Sequence, residues 1–463
     1  MPLPEQRSFR DLTVAAGAAP ARFAADVTRR VGFAELVAGG TLEPPLERFR
    51  GQSVLIWCER QLAAARILLE IDGIAARLVL CPSDFSPAHL PAVAAEAEVT
   101  AIVTDSATMA ASAAGDLPVS VVDTVGRYAP SADCDRSFAT EWILFTSGTS
   151  DRPKLVVHTL ASLTGPIEGR APASDVVWST FYDIRRYGGL QILLRAFVGG
   201  ASMVFSDANE PVAAFLERAG PCGVTHISGT PSHWRRALMS NAIDHIAPRY
   251  IRLSGEVADQ AILDALATAF PSAAIAHAFA STEAGLAFDV DDGRAGFPAA
   301  LIGQAGGKAE LRIVDGSLRI RSPRNAARYL GDRGALKDAH GFVDTKDMLE
   351  LRDGRYYFVG RREGVINVGG QKVHPEEVEA VINRVPAVRM ARVRAQRSPI
   401  TGALVVADIV LQPAAANESF DRVKAEIVAA CRAALPPYKV PAMLRAVSSL
   451  DIAASGKLVR RHA

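Results

Sequence analysis

The chain has 463 residues, 49% of them hydrophobic, which is enough apolar content for a well-buried globular protein of two or three packed units. Lys and Arg number 51 against 50 Asp and Glu, so a net charge of +1 supplies no basic field for nucleic acid or an anionic membrane. The five cysteines, Cys58, Cys81, Cys134, Cys222 and Cys431, are scattered without a C-x-x-C pair, which reads as reduced core thiols in a cytoplasmic setting rather than a disulfide framework.

Residues 1–10 carry charge and proline without an apolar run, and no long uninterrupted apolar stretch follows, so neither a leader nor a membrane span is expected. The nine histidines form no H-E-x-x-H and pair with no cysteines, which leaves zinc unsupported and magnesium carried in with a nucleotide open. From residue 54, short apolar runs alternate with helix-length amphipathic stretches: strands at 54–57, 78–81 and 101–103, helices at 61–71 and 90–98. A second round gives strands at 203–205, 224–227 and 250–253 with helices near 211–219, 231–240 and 259–269. This is βαβ grammar, and it predicts two α/β layers side by side.

Around residue 300 the grammar changes. Apolar runs at 311–314 and 318–320 flank Asp315, Gly316 and Ser317, and Asp353-Gly354 marks another turn, so a small antiparallel unit is expected. After Gly360 comes a compact α+β tail with its own core. A helix begins after His374, with Pro375 in the first position and Glu376 and Glu377 in the first turn; strands follow near 388–394 and 403–410, and a last helix carries Val423, Ile427, Val428, Cys431 and Leu435 on one face.

Five stretches carry candidate chemistry. Between strands at 142–145 and 155–157, Thr146, Ser147, Gly148, Thr149 and then Lys154 offer hydroxyls, backbone amides and a cation to a polyphosphate. The Walker A pattern is not met, because Pro153 stands at its second glycine and Leu155 follows Lys154. Next come Phe279, Ala280, Ser281, Thr282 and Glu283 at a strand end, where α/β sheets collect ligands, although a hydroxyl followed by glutamate also caps helices. Asp347 ends a charged loop; a carboxylate there accepts two hydrogen bonds at once. Residues 360–373 include Arg361, Glu363, Gly369 and Gly370, and Lys457 lies in the terminal tail.

Taken together and in this order, these stretches resemble the adenylate-forming ligases, the superfamily of acyl-CoA synthetases, peptide-synthetase adenylation domains and luciferases. The resemblance implies a large N-terminal domain over 1–361, made of two α/β layers plus the antiparallel unit, and a small mobile α+β lid over 362–463. It implies that Thr146, Ser147, Gly148, Thr149 and Lys154 hold the β and γ phosphates of ATP. Phe279, Ala280, Ser281 and Thr282 line the nucleotide, Thr282 touching phosphate, and Glu283 takes magnesium. Asp347 and Arg361 hold the ribose, Glu363 is the pivot, Gly369 and Gly370 let a thiol pass, and Lys457 bridges the carboxylate and the α-phosphate during adenylation. Two positions depart from the pattern: Phe279-Ala280 replaces Tyr-Gly, and Lys346 stands where the family has glycine.

The reaction implied is AMP-forming acid–thiol ligation: a carboxylate attacks ATP to give an acyl-adenylate and pyrophosphate, and a thiol then takes the acyl group. Coenzyme A is the expected thiol, with a carrier-protein phosphopantetheine, an amine acceptor, or a module that binds nucleotide without chemistry as alternatives. By position the acid pocket draws on Tyr182, Asp183, Arg185, Ser228, Gly229, Ser254, Gly255 and Glu256, whose polarity points to a small polar or aromatic acid rather than a fatty acid; the other reading makes Asp183 and the arginines a mere rim ion pair.

Overall fold

The structure is a computed structural model and describes residues 7–17, 21–112, 117–122, 134–146, 153–165, 167, 175–304, 309–398, 402–415, 419–451 and 458. Strand Ser53–Ile56 shows how the sequence builds two cores at once, since Val54 and Ile56 face one apolar cluster while Leu55 faces another on the opposite side. It belongs to a seven-stranded sheet in the order Arg328–Tyr329, Lys154–Thr159, Glu141–Thr146, Arg77–Leu80, Ser53–Ile56, Ala101–Thr104, Val119–Val121. The strands from Glu141–Thr146 to Val119–Val121 are parallel, and Lys154–Thr159 turns back antiparallel.

A second sheet has eight strands. Ala274–Ser281, Tyr250–Ser254, His226–Gly229, Val177–Thr180, Ser202–Phe205 and Phe23–Ala25 run parallel, with antiparallel edges at Gly285–Val290 and Arg30–Gly32. The structure has the two α/β layers expected from the sequence. They share one core across the helices Gln61–Ile71 and Tyr187–Val198, with Ile56 and Leu144 from the first sheet and Met203 and Phe205 from the second in the same cluster. Every residue of Gln61–Ile71 is buried, the polar Gln61, Arg66 and Glu70 included, so the helix is covered on all sides. The outer face of the second sheet is covered by Val212–Ala219, Pro231–Leu238 and Gln260–Ala269.

The antiparallel unit is a five-stranded sheet, Phe297–Pro298, Arg355–Arg361, Val343–Arg352, Ser317–Arg321 and Glu310–Val314. Its turns Asp315-Gly316 (φ 51° and 74°) and Asp353-Gly354 (φ 47° and 74°) are left-handed at both central residues, as tight hairpins require. Beyond Arg361 the chain forms the hairpin Ile366–Val368 and Gln371–Val373, helix Pro375–Ile382, a three-stranded sheet and helix Phe420–Ala434, around a core that includes Val378, Ile382, Val393, Ile409, Val423, Ile427 and Cys431. Gly360 sits where this second unit leans on the first: a side chain there would meet Glu376 Oε2 at 2.5 Å. No described helix is long and apolar enough to cross a membrane. The cysteines are free thiols, all buried except the partly exposed Cys222.

Candidate active site

The antiparallel pair Glu141–Thr146 and Lys154–Thr159 sets Lys154 opposite Thr146, so the two ends of the phosphate-loop candidate stand side by side. Ser147, Gly148 and Thr149 lie outside the described residues. Along the same strand face, four residues beyond Lys154, stands His158. Its ring is fully buried, and Nε2 lies 2.7 Å from the carbonyl of Thr282 while Nδ1 lies 3.0 Å from Ser162 Oγ. A carbonyl only accepts, so Nε2 carries the proton and donates. Burial pushes the His158 pKa down to about 4, and the ring is neutral.

Thr282 and Glu283 do not cap a helix. They form the turn between Ala274–Ser281 and Gly285–Val290. The turn is tied from several sides: by His158, by the Ala326 amide to the Glu283 carbonyl at 2.9 Å, and by the Ala284 amide to Ser281 Oγ at 2.9 Å. Gly285 (φ 68°) closes it, since a Cβ there would lie 2.4 Å from the Arg324 carbonyl. The half-buried Glu283 carboxylate is approached by the Tyr329 hydroxyl at 3.5 Å, a long contact. Tyr329 lies in a short strand paired with Lys154–Thr159, so that strand holds the turn directly through His158 and places Tyr329 beside the carboxylate. Burial, then the Glu283 charge, push the Tyr329 pKa up to about 12.

Asp347 and Arg361 are cross-strand partners, with Arg361 Nε 3.7 Å from Asp347 Oδ1 and Arg361 Nη2 3.4 Å from the Thr345 carbonyl. Lys346 has φ 61°, which explains why the family pattern has glycine there. Its Nζ meets Glu363 Oε1 at 2.5 Å, and the neighbouring Arg362 meets Asp344 Oδ2 at 3.2 Å. A left-handed backbone costs a lysine about 1 kcal/mol or more over glycine. The ion pair, with side chains 40% and 60% exposed, contributes about 0.2–1 kcal/mol in its place. Lys346 therefore adds no net stability. Glu363 is held below the usual carboxylate range by the hydrogen bond from Lys346 first, then by the charges of Arg361 and Lys154. Residues from 154, 283, 329, 347, 361 and 363 thus meet around one place.

The acid-pocket candidates divide. Asp183 and Arg185 are buried and paired at 2.7 Å; Asp183 also accepts the Ser83 amide at 2.8 Å, and Arg185 donates to the Cys58 carbonyl. Burial works to raise the Asp183 pKa, yet Arg185 keeps it below the usual range. The pair is an internal strut rather than a rim pair, because its charge and donors are turned to protein groups. Tyr182 is buried with its hydroxyl donating to the Ser254 carbonyl at 2.7 Å, and its ring packs edge-on against His233, which also stacks on Phe181. Ser228 and Gly229 end their strand under this cluster, where a Cβ on Gly229 would lie 2.7 Å from the Phe181 ring. Phe279 stacks against Phe358 at 4.9 Å, Ala280 is half-buried beside it, and Gly255 is exposed with φ 84°.

Glu256 has a different position from a pocket wall. Its Oε2 accepts the Ser232 amide at 3.0 Å, and its Oε1 accepts the amide of Leu458 at 2.9 Å. Lys457 lies outside the described residues, but the residue after it is docked on the large domain. Gly369 (φ 57°) and Gly370 (φ 86°) form the exposed tip of a hairpin with open space around them. Among the described residues no three His, Cys, Asp or Glu side chains cluster as a metal site. A lone half-buried carboxylate suits magnesium, which keeps several waters and takes further ligands from phosphate. His158, Tyr329 and the tail contact of Glu256 are absent from the sequence reading; the period-two spacing of Lys154 and His158 was the available signal for the first.

The fold is that of the adenylate-forming enzymes, with the candidate residues at the meeting of large domain, antiparallel sheet and tail. The family described as AMP-binding enzyme matches residues 46–330, and that described as AMP-binding enzyme C-terminal domain matches 377–457. The chain belongs to the AMP-binding enzyme family. It is 25% identical over 441 residues to a 2-succinylbenzoate–CoA ligase of Bacillus cereus, covering 89% of this chain and 88% of the relative. Among solved structures it is similar to an anthranilate CoA ligase in complex with anthranoyl-AMP (TM-score 0.80, 16% identity, 98% of this chain and 96% of that one). It is also similar to an amide bond synthetase from Marinactinospora thermotolerans (TM-score 0.77, 18% identity, 97% of each).

Proposed function

We propose that this enzyme joins a small aromatic carboxylic acid to coenzyme A in two steps, through an acyl-adenylate and with release of pyrophosphate and AMP. The observation that carries the proposal is that Lys154, the Glu283 turn through Tyr329, and Arg361 with its partner Asp347 come from distant parts of the sequence and act on one another around Glu363, while the tail at Leu458 docks on Glu256 of the large domain. In the first step the attacking carboxylate and the α-phosphate repel each other. Lys154 and Lys457 supply compensating positive charge, with Thr146, Ser147, Gly148 and Thr149 on the distal phosphates and Asp347 with Arg361 on the ribose. Glu283 would hold magnesium, which neutralises phosphate charge when bound. His158 keeps the Glu283 turn against the phosphate-loop strand.

An aromatic acid is favoured over an aliphatic one by the rings of Phe181, Tyr182, His233 and Phe279 around the strand ends, and by the names of the relatives, which act on succinylbenzoate and anthranilate. Residues 1–361 form the large domain and 362–463 the lid, turning about Glu363, so that Gly369 and Gly370 reach the cleft in the second step. The same fold serves an amide bond synthetase, so the acceptor is set by detail and not by architecture. Pyrophosphate release should be measured with a panel of benzoates and aliphatic acids, then with coenzyme A, a phosphopantetheinyl carrier protein and amines. Release with benzoates and thioester formation with coenzyme A are expected. Release with no acid would overturn the reading, and product with carrier or amine alone would overturn its acceptor.

A further inference from the structure

We infer that Lys346 is a positioning residue that latches the pivot in the adenylating pose, by pairing with Glu363 while the tail is docked on Glu256. The inference rests on the two-step reading above. Lys346 departs from glycine at a position whose φ of 61° suits glycine, and the exposed pair it gains does not outweigh that conformation, so stability does not account for it. What the lysine does secure is local geometry. Its Nζ grips Glu363, beside Asp344, which accepts the main-chain amide of residue 346 at 2.9 Å and grips Arg362. Strand Val343–Arg352 therefore holds both residues on which the lid leaves the antiparallel sheet. The pose so held is the one with Leu458 on Glu256 and with Gly369-Gly370 exposed at a hairpin tip, away from any close neighbour.

For the lid to turn about Glu363, the ion pair has to open. Lys154 and Arg361 also act on Glu363 and remain after Lys346 is removed, so the latch is one of three cations acting on that carboxylate, and the one that makes a direct hydrogen bond to it. Loss of an exposed pair shifts an equilibrium by about threefold. Two variants separate charge from backbone: Lys346→Met keeps the stem and removes the cation, and Lys346→Gly also relieves the backbone.

Both half-reactions should be followed, acyl-adenylate formation by pyrophosphate release and thioester formation from supplied acyl-adenylate. In both variants adenylation should fall about threefold while thioester formation is unchanged or faster, an opposed pattern that general destabilisation would not give. Hydrogen exchange of residues 362–373 and of the segment around Leu458 reads the latch without any substrate, and should quicken about threefold in both variants. A parent protein inactive on every acid would overturn the two-step reading alone, since exchange still reports the latch. Unchanged exchange in Lys346→Met, or an effect confined to Lys346→Gly, would overturn the latch.

Discussion

Glu256 accepts two backbone amides, from Ser232 at 3.0 Å and from Leu458 at 2.9 Å, so glutamine in its place leaves one oxygen for two donors. The oxygen should stay with Ser232, because that residue is buried in the first turn of Pro231–Leu238 and an unsatisfied buried amide costs about 1–3 kcal/mol. Leu458 can return to water instead. A hydrogen bond to a charged acceptor contributes about 1.5–3 kcal/mol, and the half-buried Glu256 belongs at the lower end, so tail docking should weaken about tenfold. Because the tail carries Lys457, Glu256→Gln should lower the adenylation rate about tenfold, with the KM of the acid nearly unchanged. Thioester formation from supplied acyl-adenylate should keep its rate. Pyrophosphate release across acid concentrations, set beside the second half-reaction, separates the terms. A raised acid KM with normal turnover would refute this reasoning and return Glu256 to the pocket wall.

What the sequence makes legible here is local. Asp315-Gly316 and Asp353-Gly354 give tight hairpins because two left-handed residues in a row are a property of the residues themselves, and Pro375 opens its helix for the same kind of reason. The order of five chemistry-bearing stretches is legible too, and it reaches the family. Contacts between distant segments are not. Phe23–Ala25 and Arg30–Gly32 are too short to stand out as strands, yet they complete the second sheet beside Ser202–Phe205. Asp183 and Arg185 read as pocket polarity, but the strut they form depends on a carbonyl at Cys58 and an amide at Ser83, which no pattern around residue 183 announces. His158 escapes for the same reason, its partner being a main-chain oxygen 124 positions away. Main-chain acceptors carry no residue identity, so a site supported by them is partly silent in the sequence.

Lys457→Ala should slow acyl-adenylate formation by about two to four orders of magnitude, the scale for removing one preorganised charge, and spare thioester formation from supplied acyl-adenylate; equal loss of both rates would make the lysine structural. Asp347→Ala should raise the Kd of ATP by about tenfold or more, since two ribose hydroxyls lose a charged acceptor, while the acid binds as before; unchanged ATP calorimetry would remove Asp347 from the site. The last prediction concerns acid. His158 is neutral and buried with a folded-state pKa of about 4 against an ordinary 6.5, so between those values the unfolded chain binds the proton more readily. Stability is therefore intact above pH 6.5 and is lost as pH falls through the window toward 4, on the order of 3 kcal/mol from this group. His233, pushed down to about 3 by burial, and His226, to about 4, add slopes of the same sign. His158→Gln keeps an N–H for the Thr282 carbonyl and removes the titration, so its urea midpoint should fall less steeply between pH 6.5 and 4 than that of the parent. Parallel curves would mean that His158 is not held neutral, and that the Thr282-Glu283 turn is anchored by the Ala326 and Ser281 contacts alone.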